Sequence, residues 1–276
     1  MKVIEQMLAR YGLAEGEDNT HALREVMQEL ALAGLQRAGF FNKAAFYGGT
    51  CLRIFHGLPR FSEDLDFSLL NAEPGFSLQP YFAALSEEFS GFGFEVEITQ
   101  RKKAVKTAVV SAFLKKNASI YDVRIQGRRL LKIKFEVDTL PPGGFETEEK
   151  LLLEPYSFYV KCFSLPDLYA GKMHALLFRQ WKSRVKGRDW FDFEWYVRQR
   201  IPLRLAHFEE RARQSGDWLG DELSRSDLVS LLKEKIARLD VEAAREDVRP
   251  FLRSDKVLDI WNQDYFLALV DRLLVC

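Results

Sequence analysis

The sequence predicts an α+β protein, and three observations carry that reading. Segments rich in Val, Ile and Phe, of strand length, fall before residue 163. Helical spacing of apolar residues dominates after it. Between the two patterns, Pro141-Pro142-Gly143-Gly144 is a hard break, followed by one more extended piece. The expected division is therefore a mixed unit, 1–163, and a helical unit, 164–276. A chain of 276 residues at roughly 150 per domain allows two such units.

Residues 1–44 read as helical, with Asn19 or Thr20 able to cap a helix carrying Leu23, Val26, Met27, Leu30 and Leu35 at helical spacing. A short strand over 44–47 runs into Gly48-Gly49, and a helix over 50–55 follows. Residues 65–70 form a second strand, 71–77 a turn-rich loop and 78–89 a helix. Further strands are expected over 94–99, 104–114 and 129–138, and the extended piece after the break over 156–162. Helices follow over 166–181, 189–200, 203–215, 226–238 and 258–274.

Composition narrows the function classes. Apolar residues make up 47% of the chain, enough for a sizeable core and too many for generic disorder. Lys+Arg and Asp+Glu are 40 each, so no global polyanion binder is indicated and any such affinity is local. The three cysteines, Cys51, Cys162 and Cys276, are far apart, which argues against a disulfide scaffold, a redox pair or a cysteine zinc site. Four histidines without HxH or HExxH spacing leave no zinc signature. No apolar run is long enough to span a membrane, and MKVIEQMLARYG has no signal-peptide core, so a cytoplasmic location is expected. Charge is unevenly spread. Residues 101–134 hold eleven Lys/Arg and one acid, and 179–200 hold seven basic residues against three acids. Such stretches suit a polyanion, although lysines guarding an exposed strand edge give the same pattern.

The chemistry-bearing stretch is Tyr47-Gly48-Gly49-Thr50-Cys51-Leu52-Arg53, followed by Arg60-Phe61-Ser62-Glu63-Asp64-Leu65-Asp66-Phe67. A strand that ends in Gly-Gly and opens a helix presents backbone N–H groups and the helix's positive end to a phosphate. Asp64 and Asp66, two apart on a strand, point to one face, where a cation relieves their repulsion. Mg²⁺ suits them, because it takes oxygen ligands and shares its shell with substrate phosphates. A DxD pair is also found in glycosyltransferases. The strand ending at Asp138 offers Lys134, Glu136 and Asp138 on one face, so Glu136 or Asp138 can supply a third carboxylate for a two-metal site. In the helical half, Lys172 lies between Gly171 and Ala175 with little bulk around it, and shares a helix face with Arg179. Asp189 and Asp192 are i, i+3 neighbours that could hold those cations or touch a nucleotide. An ordinary interhelical salt bridge explains the same residues.

Together the blocks GGTCLR (48–53), RFSEDLDF (60–67), LKIKFEVD (131–138), AGKMHALLFR (170–179) and GRDWFDF (187–193) resemble the AbiEii/AbiGii-type nucleotidyltransferase family, the toxin half of bacterial toxin–antitoxin and phage-defence pairs. The resemblance implies a polymerase-β-like core with a mixed sheet, followed by a helical C-terminal domain that completes the active site. It implies Mg²⁺, or Mn²⁺, on Asp64 and Asp66 with Glu136 or Asp138. It places the triphosphate of an NTP against Gly48, Gly49 and Thr50, with Arg53, Ser62, Lys172 and Arg179 as further nucleotide-binding candidates. Ser62 is also a possible control point by phosphorylation. Lys172 is similar to the family's essential lysine, and one of Asp189 and Asp192 to its final catalytic acid. The implied reaction is transfer of a nucleoside monophosphate to an acceptor hydroxyl, such as a tRNA 3′ end, with a winged-helix antitoxin as partner. A small-molecule or protein acceptor, or a catalytically inactive nucleotide-binding regulator, are the alternatives.

Overall fold

The computed structural model describes residues 2–12, 18–100, 118–126, 131–179 and 185–276. Helices α1 (Lys2–Ala9) and α2 (Thr20–Arg37) open the chain. The start of α2 is not capped by the Asn19 side chain. Instead Asp18 Oδ1 accepts from the Thr20 N–H at 2.9 Å, a local Asx turn. Seven strands follow in the described residues: β1 (Ala44–Tyr47), β2 (Leu65–Leu69), β3 (Glu95–Gln100), β4 (Ala118–Gln126), β5 (Leu131–Asp138), β6 (Thr147–Leu152) and β7 (Phe158–Phe163). They form one sheet in the order β3-β4-β5-β2-β1-β7-β6. The pairs β2/β5 and β1/β7 are parallel and the rest antiparallel, so the sheet is mixed.

Strand periodicity sorts the side chains. Leu65, Phe67 and Leu69 of β2, and Ile133, Phe135 and Val137 of β5, are buried in the core. Phe67 meets Phe40 edge-on at 5.0 Å and Phe46 at 5.3 Å. Burying each such ring contributes about 1.5–3 kcal/mol. Helix α2 packs on α4 (Phe82–Gly91) and on β5 and β7. The alternate residues of β2 and β5 emerge on the other face, where the acids lie.

β4 and β6 lie where the sequence pattern gives no strand. In β4, Tyr121, Val123 and Ile125 alternate inward around Asp122 and Arg124, a short signal inside a basic run. The sequence of β6, TEEKLL, carries little strand propensity, and its ladder with β7 imposes the conformation. The strand expected over 104–114 lies outside the described residues. Helix α3 (Gly48–His56) begins two residues earlier than expected, because Gly48 takes φ +82 directly after extended Tyr47. The helix expected over 78–89 splits into a 3-10 turn with Pro80, Gln79–Tyr81, and then α4.

After β7 the described chain is almost entirely helical: α5 (Leu165–Phe178), α6 (Gly187–Arg198), α7 (Leu205–Ser215), α8 (Arg225–Ala237), α9 (Val241–Val248) and α10 (Gln263–Val270). Helix α9, not expected, starts where Asp240 Oδ1 accepts from Ala243 N at 3.0 Å. The last helix is shorter than 258–274, because Asn262 caps it afresh by accepting from Tyr265 N at 2.7 Å. One apolar cluster runs through the described residues from Ile4 to Leu273, joining sheet and helices. Among the described residues no helix is long and apolar enough to cross a membrane.

Candidate active site

The parallel register of β2 and β5 sets Asp66 directly opposite Glu136, and the antiparallel register of β1 and β2 sets Tyr47 opposite Asp66. Residues level with one another across a sheet share a face, so these side chains project together, with Asp64 two residues before Asp66. Asp64 and Glu136 remain 40% and 33% exposed, so the cluster opens to solvent. Burial, reinforced by the charges of Glu136 and Asp64 and opposed by those of Lys172 and Lys134, pushes the Asp66 carboxyl up to about 7. No hydrogen bond or ion pair from a described residue relieves it. Lys134, on the same face of β5, bridges its neighbours: its ammonium is 2.8 Å from Asp64 Oδ2 and 2.6 Å from Glu136 Oε1. Burial opposes that ammonium, but the two carboxylates outweigh it and its pKa is raised. A crowded all-oxygen donor set with a cation already between two of its members fits a divalent metal. Among the described residues no three acids, histidines or cysteines are already closed around a common point.

Asp138 is one step further along β5, opposite Ser68. Its Oδ1 accepts from Leu140 N at 3.1 Å. Burial raises its pKa, against the opposing pull of Arg211. Glu136, rather than Asp138, is therefore level with Asp66.

The glycines close the cluster from one side. A Cβ on Gly48 would collide with Asp66 Oδ2. A Cβ on Gly49 would sit 2.9 Å from Arg60 Nη2, 3.0 Å from Ser62 Oγ and 3.3 Å from Lys172 Nζ. A guanidinium, a hydroxyl and an ammonium thus converge on the first turn of α3, whose N–H groups and dipole already favour an anion. The Thr50 hydroxyl is turned away and donates to the Asp64 carbonyl, tying the glycine turn to the acidic strand.

Lys172 reaches Gly49 from α5 because Asp192 of α6 holds it. Lys172 Nζ is 2.8 Å from Asp192 Oδ2. Arg60 grips the same carboxylate through both prongs, Nε to Oδ1 at 2.7 Å and Nη2 to Oδ2 at 2.6 Å. Asp192 is fully buried; burial works against its charge, but Arg60 and Lys172 prevail and hold its pKa below the usual carboxylate range. Tyr169 and Tyr196 stack at 4.0 Å with rings 4° apart, three residues before Lys172 and four after Asp192, which fixes α5 on α6. Asp189, one turn earlier on α6, instead acts on Lys235 of α8.

A model of the family described as "Nucleotidyl transferase AbiEii toxin, Type IV TA system" matches residues 30–269. The chain belongs to the AbiEii family. It is a nucleotidyltransferase of the toxin–antitoxin kind, which gives it an NTP substrate and an antitoxin counterpart. Its fold is similar to that of MenT4, a nucleotidyltransferase toxin from Mycobacterium tuberculosis H37Rv, with TM-score 0.57 and 18% identity over 97% of this chain and 87% of that one. It is also similar to JHP933 from Helicobacter pylori, with TM-score 0.53 and 18% identity over 92% and 89% of the two chains. No curated protein matches the sequence.

Two of the candidate cations of this AbiEii chain stand apart from the glycines. Arg53 lies on the opposite side of α3, donating to Glu25 Oε2 at 2.8 Å and to the Leu58 carbonyl at 3.1 Å. Arg179 follows the last turn of α5, exposed, and its charge acts on His174. Behind α3 a cavity of about 970 Å³ is lined by Arg53 and Ile54 of that helix and by Gly57, which follows it. Its buried glutamates are each claimed by an arginine: Glu25 by Arg53 at 2.8 Å, Glu29 by Arg10 at 2.6 Å and Glu194 by Arg198 at 3.2 Å. Arg60 belongs to the RFSEDLDF block, but its placement depends on Asp192, which is 132 residues away. Lys134 could be read from strand alternation, but its bridging position depends on the β2/β5 register.

Proposed function

We propose that this chain transfers a nucleoside monophosphate from an NTP to a hydroxyl of RNA, at a tRNA 3′ end, in a reaction dependent on Mg²⁺ or Mn²⁺. The observation that carries the reading is the level pairing of Asp66 with Glu136, beside Asp64 and a glycine turn that a Cβ would fill. Asp64, Asp66 and Glu136 would hold the divalent cation, which when bound supplies Lewis-acid stabilisation of phosphate charge. The N–H groups at the start of α3 bind the triphosphate. Lys172, oriented by Asp192, offsets charge that develops as the α-phosphorus is attacked. The acceptor oxygen forms the new bond to that phosphorus, pyrophosphate leaves, and the proton passes to a carboxylate of the cluster, Glu136 or Asp138. The basic run 101–134, largely outside the described residues, supports an RNA acceptor through its composition. By the same resemblance the antitoxin is a winged-helix protein encoded alongside, and the pair serves phage defence. We also take 1–163 and 164–276 as the two units of the chain.

Incubation with α-³²P-labelled NTP, Mg²⁺ and total tRNA tests the reading. Label is expected on tRNA, removed by chelation, and reduced about a thousandfold or more in Asp64→Ala with the fold retained. Full activity in that variant overturns the metal assignment. Label arriving only on protein or on a small molecule overturns the RNA acceptor.

A further inference from the structure

Helix α7 presents three polar side chains at i, i+4 and i+7 toward the loop after β5. His207 Nδ1 lies 3.0 Å from the Gly143 carbonyl, and Gln214 Nε2 donates to the Leu140 carbonyl at 2.7 Å. Between these two anchors stands Arg211. Its Nε and Nη1 are buried and have no hydrogen-bond partner among the described residues. Its guanidinium lies 6.0 Å from the centre of the Tyr47 ring and about one van der Waals contact, 4.0 Å, from where a Cβ on Gly171 would stand. Tyr47 is level with Asp66, and Gly171 precedes Lys172. Asp138 is the carboxylate facing Arg211, yet the two are not ion-paired. Burying guanidinium donors without partners is costly, and the flanking anchors prevent α7 from turning them toward water. Histidine 207 does not compete for an anion, since burial and then the charge of Arg211 push its pKa down to about 3 and leave it neutral.

We infer that Arg211 is a binding residue for the phosphate tail of the NTP, reaching the same anion as Lys172 from the far side of Gly171. The inference rests on the nucleotidyl-transfer reading above. A guanidinium whose buried donors are unpaired among the described residues, set near Asp138 without an ion pair to it, is complementary to a multiply charged phosphate and not to a neutral base or sugar. Two cations from successive helices, Lys172 from α5 and Arg211 from α7, then flank the tail while the carboxylate cluster faces the reacting phosphorus.

The test compares binding of NTP and of the matching nucleoside monophosphate to the full chain, with Mg²⁺, by calorimetry. It is run alongside KM for NTP and for tRNA. Arg211→Gln is expected to weaken NTP binding about 10- to 100-fold, to leave monophosphate binding and the tRNA KM unchanged, and to raise the NTP KM in step. Arg211→Lys, which keeps the charge without the fork, recovers part of the loss and serves in place of the glutamine variant should that one fail to fold. Equal losses for NTP and monophosphate, a shift confined to the tRNA KM, or NTP binding within twofold of the parent overturn the assignment of Arg211 alone. A parent chain that binds no NTP overturns the underlying reading as well.

Discussion

Two clusters of charge lie on opposite sides of α3, one buried and one open to solvent, and they are built differently. Behind the helix, Glu25, Glu29 and Glu194 are each matched to an arginine, and the cavity they line is internally neutralised. In front of it, Asp64, Asp66 and Glu136 crowd together with Lys134 between two of them and, among the described residues, no ion pair on Asp66. Closed pairs orient a fold at little net gain, whereas like charges held together oppose folding and mark a candidate functional site. Cavity size alone favours the side behind the helix, whereas the state of the charges favours the proposed site in front of it.

The buried Asp192 pair is the sharpest contrast with the crowded acids. Asp192→Asn is expected to cost about 3–5 kcal/mol in unfolding free energy, because Arg60 is left buried without its carboxylate. Chemical denaturation measures it, and a loss below 1 kcal/mol, by the same principle of about 3–5 for a broken buried pair, would show that Arg60 relaxes to solvent. Removing a crowded acid should do the opposite. Asp66→Asn is expected to gain about 1–2 kcal/mol at pH 8 while abolishing transfer. Its folded pKa is raised, so the parent binds an extra proton when folded; its stability is fullest below the unfolded value and falls as pH rises through about 7. The gain therefore vanishes near pH 4, and a pH-independent gain would place its cause elsewhere. The smallest effect is expected behind α3. Burial pushes Glu29 up to about 7, so the parent should lose a few degrees of Tm between pH 4.5 and 7, and Glu29→Gln should flatten that slope without changing the NTP KM. An altered NTP KM would mean that the two clusters communicate.

Much of this could be read from the chain because it depends on local pattern. Alternation places Asp64 with Asp66, and Lys134 with Glu136, whatever the sheet order. The glycine pair announces a turn that only a residue without Cβ can make beside a carboxylate. The choice between Glu136 and Asp138 was not legible, since it depends on the register of β2 against β5, a relation between strands about 70 residues apart. Asp189 and Asp192 could not be separated either, because i and i+3 share a helix face; the Tyr169–Tyr196 stack and Arg60 decide which of them meets Lys172. Arg53 and Arg60 are both arginines in matching blocks, yet one turns to Glu25 and the other to Asp192. Arg211 left no trace in the sequence, because its meaning comes from two neighbours that hold α7 in place.

The triad Arg60–Asp192–Lys172 has a consequence for how such a toxin can be restrained. It is a clasp between segments on either side of residue 163, and it holds the ammonium beside the glycine turn. A protein that wedged α5 and α6 a few ångströms off the sheet would silence the enzyme without occupying the nucleotide's place, and the chain would recover as soon as the wedge was withdrawn.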